Sequence, residues 1–101
     1  MKLDKLTHEL IAIESVTGDE NKILDYIEQY LASSEFSGEI IRNKGGIIAY
    51  HPTSSSSTAL VGHVDTVPID NNQVFHEDFS KVYGRGSVDM KSGLAVMLEV
   101  L

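Results

Sequence analysis

The sequence contains no cysteine and no tryptophan, and only two prolines among its 101 residues. Without cysteine there is no disulfide, no thiolate nucleophile and no cysteine-ligated zinc. Any metal site must therefore be built from His, Asp and Glu. The same absence leaves the redox compartment open. Basic residues are also scarce: eight Lys and Arg stand against fifteen Asp and Glu, for a net charge of −7. A field of that sign repels phosphate backbones and argues against a nucleic-acid partner. No apolar run approaches the roughly 20 residues that cross a bilayer, which argues against a membrane partner. The opening MKLDKLTHEL carries an acid at Asp4 where a secretory leader has its apolar core. What is present is ordinary for one small globular domain, with 42% apolar and 23% charged residues.

Leu3, Leu6, Leu10 and Ile13 recur at helical spacing and predict a helix from Asp4 to Ile13, with Asp4 as its N-cap. A break at Ser15-Val16-Thr17-Gly18 follows. Thr17 and Glu20 match a capping box, and Ile23, Ile27, Tyr30 and Leu31 stripe a second helix running to Ser33. Glu39–Arg42 and Ile47–Tyr50 read as a hairpin about the turn Asn43-Lys44-Gly45-Gly46. Thr53–Thr58, with four consecutive serines, reads as a surface loop. Ala59-Leu60-Val61-Gly62 is apolar without alternation, the pattern of a strand buried on both faces. The chain is irregular from Thr66 to Val82. Val82-Tyr83 is a short strand, and a helix begins near Lys91 with Leu94, Ala95, Leu98 and Leu101 on one face. The fold class is α/β: a mixed, mostly buried sheet flanked by helices.

Two segments carry candidate chemistry. In Gly62-His63-Val64-Asp65-Thr66-Val67-Pro68, His63 and Asp65 are two apart at the end of a strand, so both point to one side. An imidazole that binds metal through one nitrogen needs an acceptor for the other, and a nearby carboxylate serves. The plain alternative is a satisfied histidine beside a turn-forming aspartate. In Tyr83-Gly84-Arg85-Gly86-Ser87-Val88-Asp89-Met90-Lys91-Ser92-Gly93, the glycines permit close approach or positive φ. Asp89 at a helix start suits a metal-bridging carboxylate and equally suits an N-cap. The GxxxxGK[ST] phosphate loop is absent.

Taken together, in order and with His63 and Asp89 26 residues apart, these segments resemble the co-catalytic zinc aminoacylase/carboxypeptidase family. Ile13-Glu14-Ser15-Val16-Thr17-Gly18-Asp19-Glu20 is similar to the family's opening segment, and Val88–Val96 looks most like its succinyl-diaminopimelate desuccinylases. The resemblance implies the N-terminal portion, residues 1–101, of a zinc-exopeptidase-like catalytic domain. It implies His63 as a ligand to one metal, Asp89 as a bridge between two, and Asp65 as the catalytic residue that orients His63. It implies two divalent ions, zinc with cobalt as the alternative, and a cis bond after Asp89. The implied reaction is hydrolysis of an N-acyl amino-acid amide by a hydroxide shared between the ions. The substrate is then a small N-acyl amino acid, and the full-length protein a cytoplasmic homodimer.

The family's Glu-Glu pair, further carboxylate ligand and distal histidine have no counterpart among the 12 residues after Asp89. Glu99, not followed by a second acid, cannot replace the pair. The expectation is a C-terminally truncated chain that alone is inert and binds zinc weakly. Acetylornithine deacetylase and carboxypeptidase or dipeptidase activities are alternatives within the family. A non-catalytic binding module on the same scaffold, or an unrelated small α/β domain, are alternatives outside it. His8 and His76-Glu77-Asp78 read as solvated, His51 carries no role, and Arg85 supports its loop. Lys91 at a helix start opposes the dipole and points to a specific partner.

Overall fold

The computed structural model describes residues 2–52, 55–70, 75–78 and 80–101. The first leucine stripe forms α1 (Lys2–Ala12), which buries Leu6, Leu10 and Ile11. Asp4 lies in the first turn rather than at the cap, where its charge still favours the dipole. Helix α2 (Asn21–Ser33) buries Ile23, Leu24, Ile27 and Leu31, and α3 (Lys91–Val100) buries Leu94, Ala95 and Leu98. Leu101, expected on that face, is 44% exposed. These three stripes meet in one core, and α1 packs directly on α3. Each fully buried leucine or isoleucine contributes about 1.5–3 kcal/mol of transfer free energy. Two tyrosines of α2 fasten the outer helices. Tyr26 Oη donates to Glu9 of α1, and Tyr30 Oη donates to Glu99 of α3 at 2.8 Å.

The expected hairpin is present. Strands β1 (Glu39–Asn43) and β2 (Gly46–Tyr50) pair antiparallel, with Asn43 opposite Gly46. Asn43 Oδ1 accepts from the amides of Gly45 and Gly46 at 2.7 and 3.0 Å, which closes the turn. Ile40, Ile47 and Ala49 face the helices, while Ile41 and Ile48 face outward. Arg42 reaches from β1 to Asp25 (2.9 Å) and Glu28 (3.0 Å) of α2 and holds the hairpin against it. A second antiparallel pair joins β3 (His76–Glu77) to β4 (Val82–Tyr83), and the His76 and Tyr83 rings stack at 4.4 Å. Glu77 is not simply solvated: it pairs with His8 of α1 at 2.9 Å. The fold is thus mixed α/β, with small antiparallel sheets flanked by helices.

Two further expectations fail locally. The capping box does not form. Glu20 is the N-cap residue without a side-chain cap bond, and its carboxylate accepts instead from the Gly18 amide at 2.6 Å. Gly18, at φ +95°, turns the chain so that Thr17 faces away from α2. Ala59–Gly62 is not a doubly buried strand, and Leu60 and Val61 are 51% and 86% exposed. Both sheets among the described residues are two-stranded hairpins, so this run has no ladder neighbour on either side. Of the serine-rich loop, Thr53 and Ser54 lie outside the described residues, as do Asn71 and Asn72 of the irregular stretch.

Lys91 finds the partner its position called for. Its side chain is 1% exposed, and Nζ donates to the carbonyl of Ile13 at 2.5 Å. Burial lowers its pKa to about 8, opposed in part by the charge of Glu14. Below about pH 8 the amine is charged in both folded and unfolded chains. Between about 8 and about 10.4 the unfolded chain binds more protons, so stability rises with pH. The neutral amine still donates to Ile13. Lys91→Met is expected to remove a rise of at most about 1.4 kcal/mol per pH unit across this window. Urea denaturation of both proteins between about pH 8 and 10 checks this, and parallel pH slopes would refute it.

Candidate metal centre

The site begins where the chain leaves α1. Ser15, Val16 and Thr17 run parallel to Val64, Asp65 and Thr66, with a bridge between Val16 and Thr66. The Thr66 amide donates to Ser15 O at 2.9 Å, and the Thr17 amide donates to Thr66 O at 3.0 Å. Ser15 Oγ, fully buried, donates to Val64 O at 2.7 Å. These bonds fix the segment that carries His63 and Asp65. From the other side, the His63 amide donates to Met90 Sδ at 3.4 Å, linking that segment to the start of α3.

The Gly84–Asp89 turn brings in the second acid. Gly86 sits at φ +90°, and a Cβ there would lie 2.9 Å from Lys91 Cδ and 3.0 Å from Thr66 Cγ2. The glycine is needed for conformation and for space. The Lys91 amide donates to Gly86 O at 2.8 Å, and Arg85 Nε donates to Pro68 O at 3.2 Å. Asp89 is not the helix cap, because that position falls to Met90 and no side chain caps the helix. The Asp89–Met90 peptide is cis, as the family resemblance implies.

His63, Asp65 and Asp89 converge on one cleft of about 270 Å³. His63 Nδ1 lies 3.0 Å from the carbonyl oxygen of Asp65 and 3.3 Å from its Oδ1, and Nε2 lies 2.9 Å from Asp89 Oδ1. Thr17 Oγ1 donates to Asp65 Oδ2 at 2.6 Å. The carbonyl can only accept, so Nδ1 carries a proton and Nε2 is the nitrogen presented to the cleft. Both ring nitrogens then face acceptors. The bond to the Asp65 backbone, followed by that to Asp89, raises the His63 pKa. The Asp65 carboxyl is held down chiefly by the Thr17 hydroxyl.

A proton fits between Nε2 and Oδ1 at 2.9 Å, and a metal would need the two atoms to move apart. Zinc bonds of about 2.0–2.2 Å in a tetrahedral shell would set two donors about 3.3 Å apart, close to the observed separation. Asp89, 85% exposed, has room to make that adjustment. Two donors are fewer than the three or four that hold zinc, and no group of three or more His, Asp or Glu suited to a metal gathers among the described residues. His8, His51 and His76 lie elsewhere, against Phe75, Phe36 and Tyr83. Thr17 is the residue that sequence reasoning missed. It reads as a helix cap, and nothing local signals a partner 48 residues away.

Comparison with known proteins now gives the geometry its context. Residues 59–101 match peptidase family M20/M25/M40. The wider chain is similar to curated proteins named succinyl-diaminopimelate desuccinylase. The Corynebacterium glutamicum protein is 41% identical over 95 residues, covering 92% of this chain and 26% of that protein. The Rickettsia typhi protein is 34% identical over 107 residues, covering 88% and 27% respectively. The Rickettsia akari protein is 31% identical over 105 residues, covering 89% and 28%. The resemblance drawn from the two motifs is therefore shown, and it extends across nearly the whole chain. The chain spans about a quarter of the length of these relatives.

In the metal-free protein, His63 is expected to titrate above its ordinary value of about 6.5. A raised folded pKa stabilises the fold below the unfolded value, and that contribution fades as pH rises through the folded one. Asp89→Asn should lower the midpoint but leave it partly raised, since the Asp65 carbonyl remains. Histidine-selective NMR titration reads both values, and an unshifted imidazole in the unmutated protein would contradict this geometry.

Proposed function

We propose that these residues form the N-terminal part, spanning 1–101, of the catalytic domain of a metal-dependent amidohydrolase that removes an acyl group from an N-acyl amino acid. The observation that carries the proposal is the 2.9 Å approach of His63 Nε2 to Asp89 Oδ1 from segments 26 residues apart, in a cleft of the M20-type region. The names of the relatives support succinyl-diaminopimelate as the substrate; a place in lysine synthesis and a cytoplasmic homodimer belong to the same proposal.

His63 and Asp89 would hold the metal, zinc or cobalt, with Asp89 the bridge when two ions are bound. Such ions polarise a scissile carbonyl and acidify water, which amide hydrolysis at neutral pH requires. The chain's own residues prepare the place. The Asp65 carbonyl accepts the Nδ1–H bond, with the carboxylate beside it at 3.3 Å, and so leaves Nε2 as the free donor atom. The Asp89 carboxylate offsets the charge that two cations would bring together. The arm bearing His63 and Asp65 and the turn bearing Asp89 are each fixed by backbone bonds, so the adjustment a metal would require is left to the exposed Asp89 side chain. Two protein donors are too few for tight zinc, so these 101 residues alone should be inert and bind zinc weakly.

In the full-length protein, Asp89→Ala should abolish turnover and reduce bound metal. Asp65→Ala should keep the ligands and lose about 10–100-fold in metal affinity or activity. Kinetics with succinyl-diaminopimelate and acetylornithine, with metal content measured alongside, check these outcomes. Unchanged turnover in both variants removes the site assignment. Cleavage of acetylornithine alone transfers the assignment to the deacetylases.

A further inference from the structure

Thr17 belongs to no helix, strand or cap, yet its hydroxyl is committed. Oγ1 lies 2.6 Å from Asp65 Oδ2 and 3.3 Å from the Thr66 carbonyl. A hydroxyl has one proton to give. The shorter, charge-assisted bond takes it, because the Thr66 carbonyl already accepts the Thr17 amide at 3.0 Å. That amide bond also fixes where the hydroxyl can be. Ser15, two residues earlier, is locked by its own bonds to Val64 and Thr66. The Thr17 hydroxyl is therefore a donor mounted on a fixed backbone and aimed at one carboxylate oxygen.

The consequence lies at the other oxygen. With Oδ2 held by Thr17, the carboxylate plane of Asp65 is set and Oδ1 is turned to His63 Nδ1 at 3.3 Å. The imidazole then aims Nε2 at Asp89. From these contacts we infer that Thr17 is a positioning residue of the metal centre, acting through the Asp65 carboxylate on the orientation of His63, whose Nδ1 proton goes to the Asp65 carbonyl at 3.0 Å. This rests on the metal-site reading above. The contacts form a relay Thr17–Asp65–His63–Asp89 of three side-chain contacts, entered from a segment 48 residues away.

A structural role and a positioning role differ in what rescues them. The Thr17 amide carries the docking of the segment to Thr66, and any residue but proline retains it. Thr17→Val keeps shape and β-branching and removes only the hydroxyl, while Thr17→Ser restores the donor. The experiment compares Thr17→Val, Thr17→Ser, Asp65→Ala and the Val/Ala double variant of the full-length protein. Zinc affinity is read by calorimetry, kcat and KM by kinetics, and the His63 ring nitrogens by NMR of the metal-free protein. Thr17→Val should lose about tenfold in zinc affinity or kcat, at the lower edge of what changes behind a ligand cause, with KM nearly unchanged. It should also shift the Nδ1 resonance of His63. Thr17→Ser should restore both, and the loss should vanish in the Asp65→Ala background. Wild-type behaviour of Thr17→Val beside an impaired Asp65→Ala overturns the role of Thr17 alone. Equal damage in Val and Ser, or losses that add in the double variant, also overturns it. Wild-type zinc binding in both Thr17→Val and Asp65→Ala overturns the metal reading together with this inference.

Discussion

The parallel bridge between Ser15–Thr17 and Val64–Thr66 is the constraint on which the rest of the arrangement depends. It consists of two backbone hydrogen bonds and one from a serine hydroxyl. Each is worth only about 0.5–1.5 kcal/mol net. Their weight comes from burial, since Ser15 and Thr66 are 1% and 6% exposed. Opening the bridge there would leave polar groups without partners, at about 1–3 kcal/mol each. The Lys91 ammonium reinforces the same junction by reaching the Ile13 carbonyl just upstream. Three segments far apart in sequence thus meet at one seam: the exit of α1, the arm with His63, and the turn into α3. The cleft is what remains on the outer side of that seam.

The helices were legible because their information is local. The stripes of Leu6 and Leu10, of Ile23, Ile27 and Leu31, and of Leu94, Ala95 and Leu98 place themselves by period alone. The first hairpin was legible because Asn43 and Gly46 suit its turn. What misled was the residue type whose partners lie elsewhere. Thr17 and Glu20 have the spacing of a capping box, but spacing does not reveal where the helix actually starts. The helix begins at Asn21 with Glu20 as its N-cap, so Thr17 lies three residues short of the cap and its hydroxyl proton goes to Asp65 at 2.6 Å. Ala59–Gly62 misled in the opposite way. Its composition states a preference for burial, and composition cannot supply the neighbours that would bury it.

The candidate site divides along the same line. His63 and Asp65 meet as the spacing of two suggested, although residues 59–65 form no strand: His63 Nδ1 lies 3.0 Å from the Asp65 carbonyl. The approach of Asp89 is not contained in either motif. It required the family resemblance, and it results from Gly86 letting the turn pass close over Thr66 and Lys91. The role of Lys91 was half legible. An ammonium at the start of a helix is unfavourable, so a reason was called for. That the reason is the Ile13 carbonyl just past α1 and not a carboxylate is a matter of packing.

The strength of the His63–Asp89 contact is the last question, and exposure decides it. The side chains are 47% and 85% exposed, so water screens their attraction and the pair adds little to stability. Its meaning is positional. An imidazole flanked by a carbonyl and two carboxylates is a place where positive charge is favoured, whichever cation supplies it. A proton serves in the metal-free protein, which is why the His63 pKa rises. A metal ion must displace that proton from Nε2, so the surroundings that attract the metal also strengthen its competitor. The Nδ1 side resolves the conflict. The acceptors of Asp65 favour the protonated Nδ1 in both states, and only Nε2 exchanges one cation for another. On the proposed reading, Asp65 would thus make a metal-competent tautomer of His63 the resting one and leave the choice of cation to pH and supply.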